Sequence, residues 1–529
     1  MLSARYRFAD MADVVAAEVA RFVADGAAQR LQDRDHTLFG PEPDEIANRL
    51  GWLDAPEESS DLWEVLSGFA DEVAELADDV VLIGMGGSSL FPEVLATSFG
   101  PAPGRPRLHV LDSTDADAVR RVVSITDPNR CFYIAASKSG TTLETRSHLE
   151  LFWALSGDRE RFAVITDPGS ELERLADERE FAHVFRNDPD IGGRFAALSL
   201  FGMVPAAVLG VDGLAMLDAA IEALESLTPV ELDADGAEGA DGAEGADGAE
   251  GAGGAEASIA VMLAALLGGA AMHGRELLTI ALDPRIESFA LWLEQLVAES
   301  SGKHGTGITP VVGEAIDVVA ATPDRRIVVT IGEVAGIERL REMDVPLVEL
   351  GLEELTDIGA QVVLWEYAVA LACRVLGVNP FDQPDVESAK AAARALLDRA
   401  APANPVELSL EEGLALAVPG DTIALCGFVD PGGADADALE ALRSRLGREL
   451  GFVTTLGFGP RFLHSTGQLH KGGPSEIVVL QFLRSAEELA VPGSALGFEQ
   501  IKAAQAAGDL VALAEAEQRC ARIRLDDLA

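Results

Sequence analysis

Short apolar runs alternate with segments of helical length over most of this chain. In the first half the runs cover residues 80–83, 108–111, 131–135 and 162–165. Because parallel strands must be joined by long crossovers, this alternation predicts a parallel, doubly wound sheet. Each run ends close to polar Gly, Ser, Thr or Asp residues, and such sheets bind ligands at the carboxyl ends of their strands. The sequence therefore predicts an α/β fold with a ligand site at one sheet edge.

A second alternation follows in the C-terminal half. Its predicted strands cover residues 278–282, 327–331, 348–350, 422–426, 453–456 and 477–482. We therefore expect two similar doubly wound α/β domains, with a site in the cleft between them. The predicted parts are a helical N-terminal extension (1–78), a first domain (79–232), an acidic loop (233–257), a second domain (258–499) and a C-terminal helix (500–529).

The acidic loop repeats Gly-Ala-Asp-Gly-Ala-Glu. It contains no apolar side chain larger than alanine, so it cannot build a core, and we expect it to be disordered and solvated.

The charge of the chain narrows the possible partners. It has 88 acidic residues against 40 lysines and arginines, a net charge of -48 at pH 7. This excess repels phosphate backbones and anionic lipids, so we expect neither nucleic acid nor a membrane as a partner. An anionic substrate would need a locally basic site. Lysine is rare, and we expect chemical roles for all the lysines except Lys502, although codon bias is the alternative; the others are Lys138, Lys303, Lys390 and Lys471.

The cysteines and the N-terminus indicate the compartment. The 4 cysteines are scattered and form no Cys-x-x-Cys pair, which favours reduced thiols over disulfides or a zinc site. Residues 1–5 do not begin an apolar signal sequence, and no run is typical of a membrane span. We expect a cytoplasmic protein.

The most distinctive turn follows the third apolar run. Residues 136–145 read Ala-Ser-Lys-Ser-Gly-Thr-Thr-Leu-Glu-Thr. A strand, a hydroxyl-rich turn and a helix start together offer backbone N–H groups, hydroxyls and a helix dipole to an anion. An ordinary helix N-cap is the alternative, since Ser and Thr are favoured there as well.

Two glycine turns are further candidates. Residues 84–89 (Gly-Met-Gly-Gly-Ser-Ser) follow the first run, and either contribute to the same phosphate site or, with Asp112, form a dinucleotide loop of unusual spacing. In the second turn Arg194 follows Gly192 and Gly193, so a cation could approach an oxyanion there.

Three later stretches carry groups for acid–base chemistry. Glu299 ends a strongly apolar helix and is a candidate base, or else a solvated helix-end carboxylate. Gln383 and Lys390 flank a helix start that Asp382 or Asp385 could simply cap. His464 and His470 lie in a glycine-rich stretch and are candidate acids, or else surface histidines.

Together these motifs resemble the phosphoglucose isomerase family, built from two sugar-isomerase (SIS) domains. The resemblance covers the chain from about residue 80 onward and extends to the isomerase half of fusions with transaldolase. The family's phosphate loops correspond to residues 84–88 and 137–142, its Gly-Gly-Arg-Phe signature to residues 192–195, and its Phe-Asp-Gln signature to residues 381–390. Ala196 stands where the family usually has serine.

The resemblance implies roles for individual residues. It implies that Glu299 is the base that moves a proton between C2 and C1 through a cis-enediol, and that Arg194 stabilises the enediolate. It implies that Lys390 and His470 assist ring opening. The histidine motif follows the Phe-Asp-Gln signature instead of preceding it, so His464 and His304 remain alternatives. The implied substrate-binding residues are Gly87, Ser88, Ser137, Lys138, Ser139, Thr142 and Gln383.

The expected activity is the reversible conversion of glucose 6-phosphate into fructose 6-phosphate, a step of glycolysis and gluconeogenesis. The resemblance implies a homodimer and neither a metal nor another cofactor. Two alternatives remain open: an isomerase that also accepts mannose 6-phosphate, and a non-catalytic regulator that binds sugar phosphates. Glu299 and Lys390 argue against the regulator, because a sensor needs neither.

Overall fold

The structure is a computed structural model that describes residues 2–227, 257–386 and 406–528. Its N-terminal part is mostly helical, as predicted, but it opens with a strand, β1 (Ala4–Arg7). The predicted acidic loop (233–257) lies outside the described residues except for its last residue. The N-terminal helices are α1 (Ala12–Asp25), α2 (Ala27–Gln32), α3 (Ala55–Asp61) and α4 (Trp63–Leu76).

The first sheet is parallel throughout and has the strand order β3-β2-β4-β5-β6. Its central strands are apolar and buried, which confirms the four predicted strands to within one residue at each end. The fifth strand was not predicted, because it is a short, half-exposed edge strand with a mixed sequence. The strands are β2 (Asp79–Ile83), β3 (Arg107–Leu111), β4 (Cys131–Ala136), β5 (Phe162–Thr166) and β6 (His183–Arg186).

Helices cover this sheet and continue into a central helical layer. Those that follow its strands are α5 (Leu90–Ser98), α6 (Ala116–Ile125), α7 (Leu143–Ser156), α8 (Glu171–Arg179), α9 (Leu200–Leu209) and α10 (Gly213–Leu227). The layer also contains α11 (Ile259–Met272), whose apolar residues are nearly all buried.

The second sheet has the order β1-β10-β9-β7-β8. Strand β1 pairs antiparallel with β10, so the N-terminus belongs to this sheet and not to a separate extension. The other strands are β7 (Leu277–Leu282), β8 (Thr309–Val312), β9 (Arg326–Ile331) and β10 (Leu347–Leu350). Their helices are α12 (Phe289–Ser301), α13 (Ile316–Ala321), α14 (Ile337–Glu342) and α15 (Ile358–Leu376).

Helix α15 is the core of the helical layer. Residues 355–376 are long and apolar enough to cross a membrane by length and composition alone, but 89% of their most apolar window is buried inside the protein. A buried core helix has the same length and composition, and α15 packs against α10, α11 and α12.

A third, parallel sheet has the order β11-β15-β14-β12-β13. The strands predicted for one second domain over 258–499 are thus divided between two sheets, because apolar runs do not show which strands pair. The predicted C-terminal helix is followed by a strand that the sequence did not indicate, and this strand lies inside the third sheet. The strands are β11 (Glu407–Leu408), β12 (Thr422–Phe428), β13 (Val453–Phe458), β14 (Ile477–Leu483) and β15 (Arg519–Ile523).

The helices of this last region surround the third sheet. They are α16 (Leu410–Leu414), α17 (Ala434–Leu450), α18 (Gly467–Gly472) and α19 (Phe498–Glu515). Side chains from this region reach the carboxyl edge of the first sheet: Gln505 accepts a hydrogen bond from Thr114, and Lys502 pairs with Asp115 at 2.6 Å. The third sheet therefore brings its loops over the first-sheet edge where the site was predicted.

Candidate active site

The hydroxyl-rich turn lies between β4 and α7 and has the shape expected of an anion cradle. Ser137 Oγ accepts a hydrogen bond from the Gly140 N–H at 3.2 Å and lies 3.1 Å from Thr142 Oγ1. Thr142 occupies the N-cap of α7, yet its side chain makes no capping hydrogen bond. The Thr142 side chain therefore does not cap the N-terminal N–H groups of α7, and a helix N-terminus is where an anion can bind.

Gly140 makes the tight turn possible. Its φ is +70°, and a Cβ at this position would lie 2.2 Å from the Leu172 backbone nitrogen. Any side chain here would both strain the backbone and collide with α8.

Lys138 adjoins the cradle. Its ammonium lies 2.8 Å from Asp167 and donates to the Pro189 carbonyl at 3.1 Å. The lysine thus connects the cradle to the loop that leads to Arg194. Ser139 bonds its own turn, with its hydroxyl 2.8 Å from that of Thr141.

The first glycine loop packs against the arginine turn. A Cβ on Gly87 would lie 1.8 Å from the Gly193 carbonyl oxygen, so only glycine permits this contact. Ser88 belongs to the same short 3-10 turn and is half-buried. The structure therefore brings the first glycine loop and the arginine turn together at the sheet edge.

Arg194 and Glu299 form a buried ion pair. The guanidinium Nη1 lies 3.1 Å from Glu299 Oε1, and only 3% and 11% of the two side chains are exposed. Arg194 also donates to Gln383 Oε1 at 3.1 Å and to the carbonyls of Pro380 and Asp382. Three residues predicted from distant motifs thus lie together.

His464, one of the alternative histidines, also lies here. Its Nε2 is 3.0 Å from Glu144 Oε1, in the first turn of α7 directly after the cradle. Burial alone would raise the pKa of Glu144, but the charge and hydrogen bond of His464 outweigh this and lower it. Gln505 donates a second hydrogen bond to the same carboxylate at 2.6 Å.

Gln295 connects the histidine to the candidate base. Its amide nitrogen donates to Glu299 Oε2 at 3.0 Å and to the His464 carbonyl at 2.8 Å. A continuous series of contacts therefore links the cradle to Glu299 through Glu144, His464 and Gln295.

Glu144 and Gln295 were not predicted as site residues. The only sequence signals for them were an acidic residue in the first turn after the cradle and an amide one helical turn before Glu299.

The structure places His470 elsewhere. Its Nδ1 is 4.0 Å from Cys426 Sγ and its ring packs on Phe462, and no hydrogen bond or ion pair within the described ranges joins its side chain to Arg194 or Glu299. Burial, assisted by the charge of Lys471, lowers the pKa of His470 to about 4. In this position the buried, uncharged ring packs beside the third sheet.

Other predicted residues have different surroundings. Lys390 lies outside the described residues. His304 is exposed in a loop with a φ of 56°. Lys471 and Lys502 are buried in ion pairs, the first with Asp509 at 2.7 Å.

Asp112 does not favour the dinucleotide interpretation. Its carboxylate binds Arg461 at 2.7 Å and accepts from Ser89 at 3.1 Å. Both partners bind Oδ2 of the acid that a ribose would require.

Comparisons with known proteins agree with the geometry. The family model described as phosphoglucose isomerase matches residues 62–226, a range that contains the cradle and Arg194. The glucose-6-phosphate isomerase of Rubrobacter xylanophilus is 28% identical over 424 residues, 67% of this chain and 93% of the relative. That of Thermus thermophilus is 38% identical over 194 residues, 35% of this chain and 46% of the relative.

Two solved structures share the fold. A glucose-6-phosphate isomerase from Chlamydia trachomatis superposes with a TM-score of 0.61 at 18% identity, over 75% of this chain and 88% of that one. A hypothetical protein from Thermus thermophilus gives a TM-score of 0.59 at 24% identity, over 75% of this chain and 100% of that one. The family model and the named relatives show that the chain is similar to phosphoglucose isomerases, most clearly over residues 62–226.

Proposed function

We propose that this protein interconverts glucose 6-phosphate and fructose 6-phosphate. The observation that carries the proposal is the buried Arg194–Glu299 pair, joined through Gln295, His464 and Glu144 to the phosphate cradle. Aldose–ketose exchange needs one base, one acid for the ring oxygen and one cation for the developing oxyanion. All three groups are present within this set of contacts.

Each of these residues has a separate role in the proposed reaction. The cradle and Lys138 hold the phosphate, which fixes the sugar at one end. Glu299 removes the proton from C2 and returns it to C1, with a cis-enediol between the two steps. Arg194 stabilises the negative charge that develops on the enediolate oxygen atoms. Its guanidinium lies beside the base, where this charge forms, and is shielded from water.

We assign ring opening to His464 in place of His470. A carboxylate that accepts a hydrogen bond from one imidazole nitrogen orients the ring, and Glu144 is placed to do this. Lys390 stays a candidate for the same step, while the homodimer and the cytoplasmic location stay predictions.

An assay with fructose 6-phosphate, coupled to the oxidation of glucose 6-phosphate, tests the proposal. We expect steady turnover without added metal. A parallel assay with mannose 6-phosphate tests the broader isomerase. Binding of fructose 6-phosphate without turnover would instead support the regulator and overturn the proposal.

The histidine assignment gives a paired prediction. We expect His464→Asn to lower kcat about 100-fold with the ring-closed substrate, because general acid–base groups contribute about 10²–10⁴ in rate. His470→Asn should retain most of the activity and lower the melting temperature. Loss of activity in a folded His470→Asn protein, with His464→Asn unaffected, would reverse the assignment.

The cradle gives a second prediction. We expect Lys138→Ala to raise the KM for fructose 6-phosphate about tenfold and leave partial turnover, since a charge-assisted hydrogen bond contributes about 1.5–3 kcal/mol. Arg159→Ala, which removes an exposed arginine outside the site, is the matched control. An unchanged KM and an unchanged inhibition constant for inorganic phosphate would refute the cradle.

A further inference from the structure

Lys303 is a buried lysine beside the site that the mechanism above does not use. Only 1% of its side chain is exposed, and it follows α12, the helix that carries Glu299. Burying an ammonium is costly unless it is paired and hydrogen-bonded. Lysine is rare in this chain, and we infer the role of Lys303 from its contacts.

Both partners of Lys303 belong to the loop formed by residues 379–383. Its ammonium lies 2.8 Å from Asp382 and also donates a hydrogen bond to the Asn379 carbonyl. These two contacts anchor the loop near each of its ends. Phe381, in the middle of the loop, packs its ring against Phe39 and Phe195, with centroid distances of 5.3 and 5.2 Å.

The other side of the same loop holds Arg194. The Pro380 carbonyl accepts from Nε at 3.2 Å and from Nη2 at 2.6 Å, and the Asp382 carbonyl accepts from Nη2 at 2.9 Å. Gln383 accepts from Nη1. The loop therefore fixes the plane of the Arg194 guanidinium, and with it the position of this group relative to the Glu299 carboxylate.

We propose that Lys303 is a positioning residue that clamps loop 379–383 and so holds Arg194 over Glu299. This inference rests on the proposed function. Lys303 need not touch the substrate: it acts through the loop on the cation, and through the cation on the base.

The clamp depends on charge. Three ionisable groups from neighbouring elements act on the Lys303 ammonium: Arg194, Asp382 and Cys373 of α15. Burial, reinforced by the charge of Arg194, lowers the pKa of Lys303 to about 8, while burial raises the pKa of the Cys373 thiol to about 12 and keeps it neutral. Below about pH 8 the ammonium is charged and the ion pair is present, and as the pH rises through this value the pair is lost.

Lys303→Met tests the clamp. We expect kcat to fall between about 10- and 100-fold with little change in KM, because small displacements of a catalytic group cost this much. We also expect the kcat of the wild type to fall as the pH rises past about 8 (the alkaline limb), and this fall to be absent from the variant. Lys502→Met, which removes another buried and ion-paired lysine, should lower the melting temperature and leave the pH profile of kcat unchanged.

Asp382→Asn is the second variant, in case Lys303→Met does not fold. It keeps the ammonium but removes the negative charge that raises the pKa of Lys303, so the alkaline limb should move to lower pH. A wild-type kcat and pH profile in both variants would overturn the clamp.

Amide hydrogen exchange separates failure of the clamp from failure of the proposed function. In Lys303→Met, exchange should accelerate across residues 379–386, and Lys502→Met should leave this segment protected. An inactive wild type with this exchange difference would refute the isomerase and keep the clamp. Unchanged exchange in Lys303→Met would refute the clamp even if the wild type is active.

Discussion

Glu299→Gln is expected to lower kcat at least about 1,000-fold while KM changes little. The substitution keeps the size of the side chain and one oxygen that accepts from Gln295 or Arg194, but it removes the group that accepts the C2 proton. General base catalysis contributes about 10²–10⁴ in rate, and here the same carboxylate acts in both proton transfers. Coupled assays over a range of fructose 6-phosphate concentrations measure both constants.

Glu287→Gln provides the control for this variant. Glu287 is an exposed carboxylate just before α12, so its substitution should change neither constant. Equal activity of wild type and Glu299→Gln would show that another group is the base.

Arg194→Lys is expected to lower kcat between about 100- and 1,000-fold, the range seen when a preorganised donor to an oxyanion is removed. Lysine keeps the charge but cannot donate in the planar fork that reaches Glu299, Gln383 and the loop carbonyls together. Arg194→Met removes the charge as well and leaves a buried carboxylate unpaired, a change that costs about 3–5 kcal/mol of stability.

Arg326→Lys separates loss of activity from loss of packing. Arg326 is also fully buried, and it pairs with Glu314 at 2.7 Å in the second sheet. We expect this variant to lose stability as Arg194→Lys does, measured by thermal unfolding, and to keep its kcat. A similar fall in kcat for both arginines would contradict a direct role for Arg194.

Strands and turns could be predicted from sequence because both have local causes. The apolar residues of β4 must be buried whatever lies around them, and the glycine and hydroxyls after it mark the end of the strand. The approach of Glu299, Arg194 and Gln383 could be expected only from the resemblance, since they lie on three distant segments.

The division into three sheets could not be predicted, because strand pairing depends on contacts between distant segments. Strand β1 illustrates this: four residues at the N-terminus pair with β10, over 300 residues away. Likewise, β15 is short and polar enough to be taken for a continuation of the preceding helix.

The choice between His464 and His470 depended on tertiary structure as well. The two lie in one glycine-rich stretch, but the first precedes α18 and faces Glu144, whereas the second lies on α18 and faces Cys426. No local sequence pattern shows which way each histidine side chain points.

Solvent deuterium exchange tests the central claim most directly, because it follows the proton that Glu299 is proposed to move. Glucose 6-phosphate is incubated with enzyme in D₂O, and deuterium at C2 of the aldose and C1 of the ketose is followed by NMR. We predict incorporation by the wild type and none above background by Glu299→Gln. Equal incorporation by the variant, or isomerisation by the variant at the wild-type rate, would contradict proton transfer through Glu299.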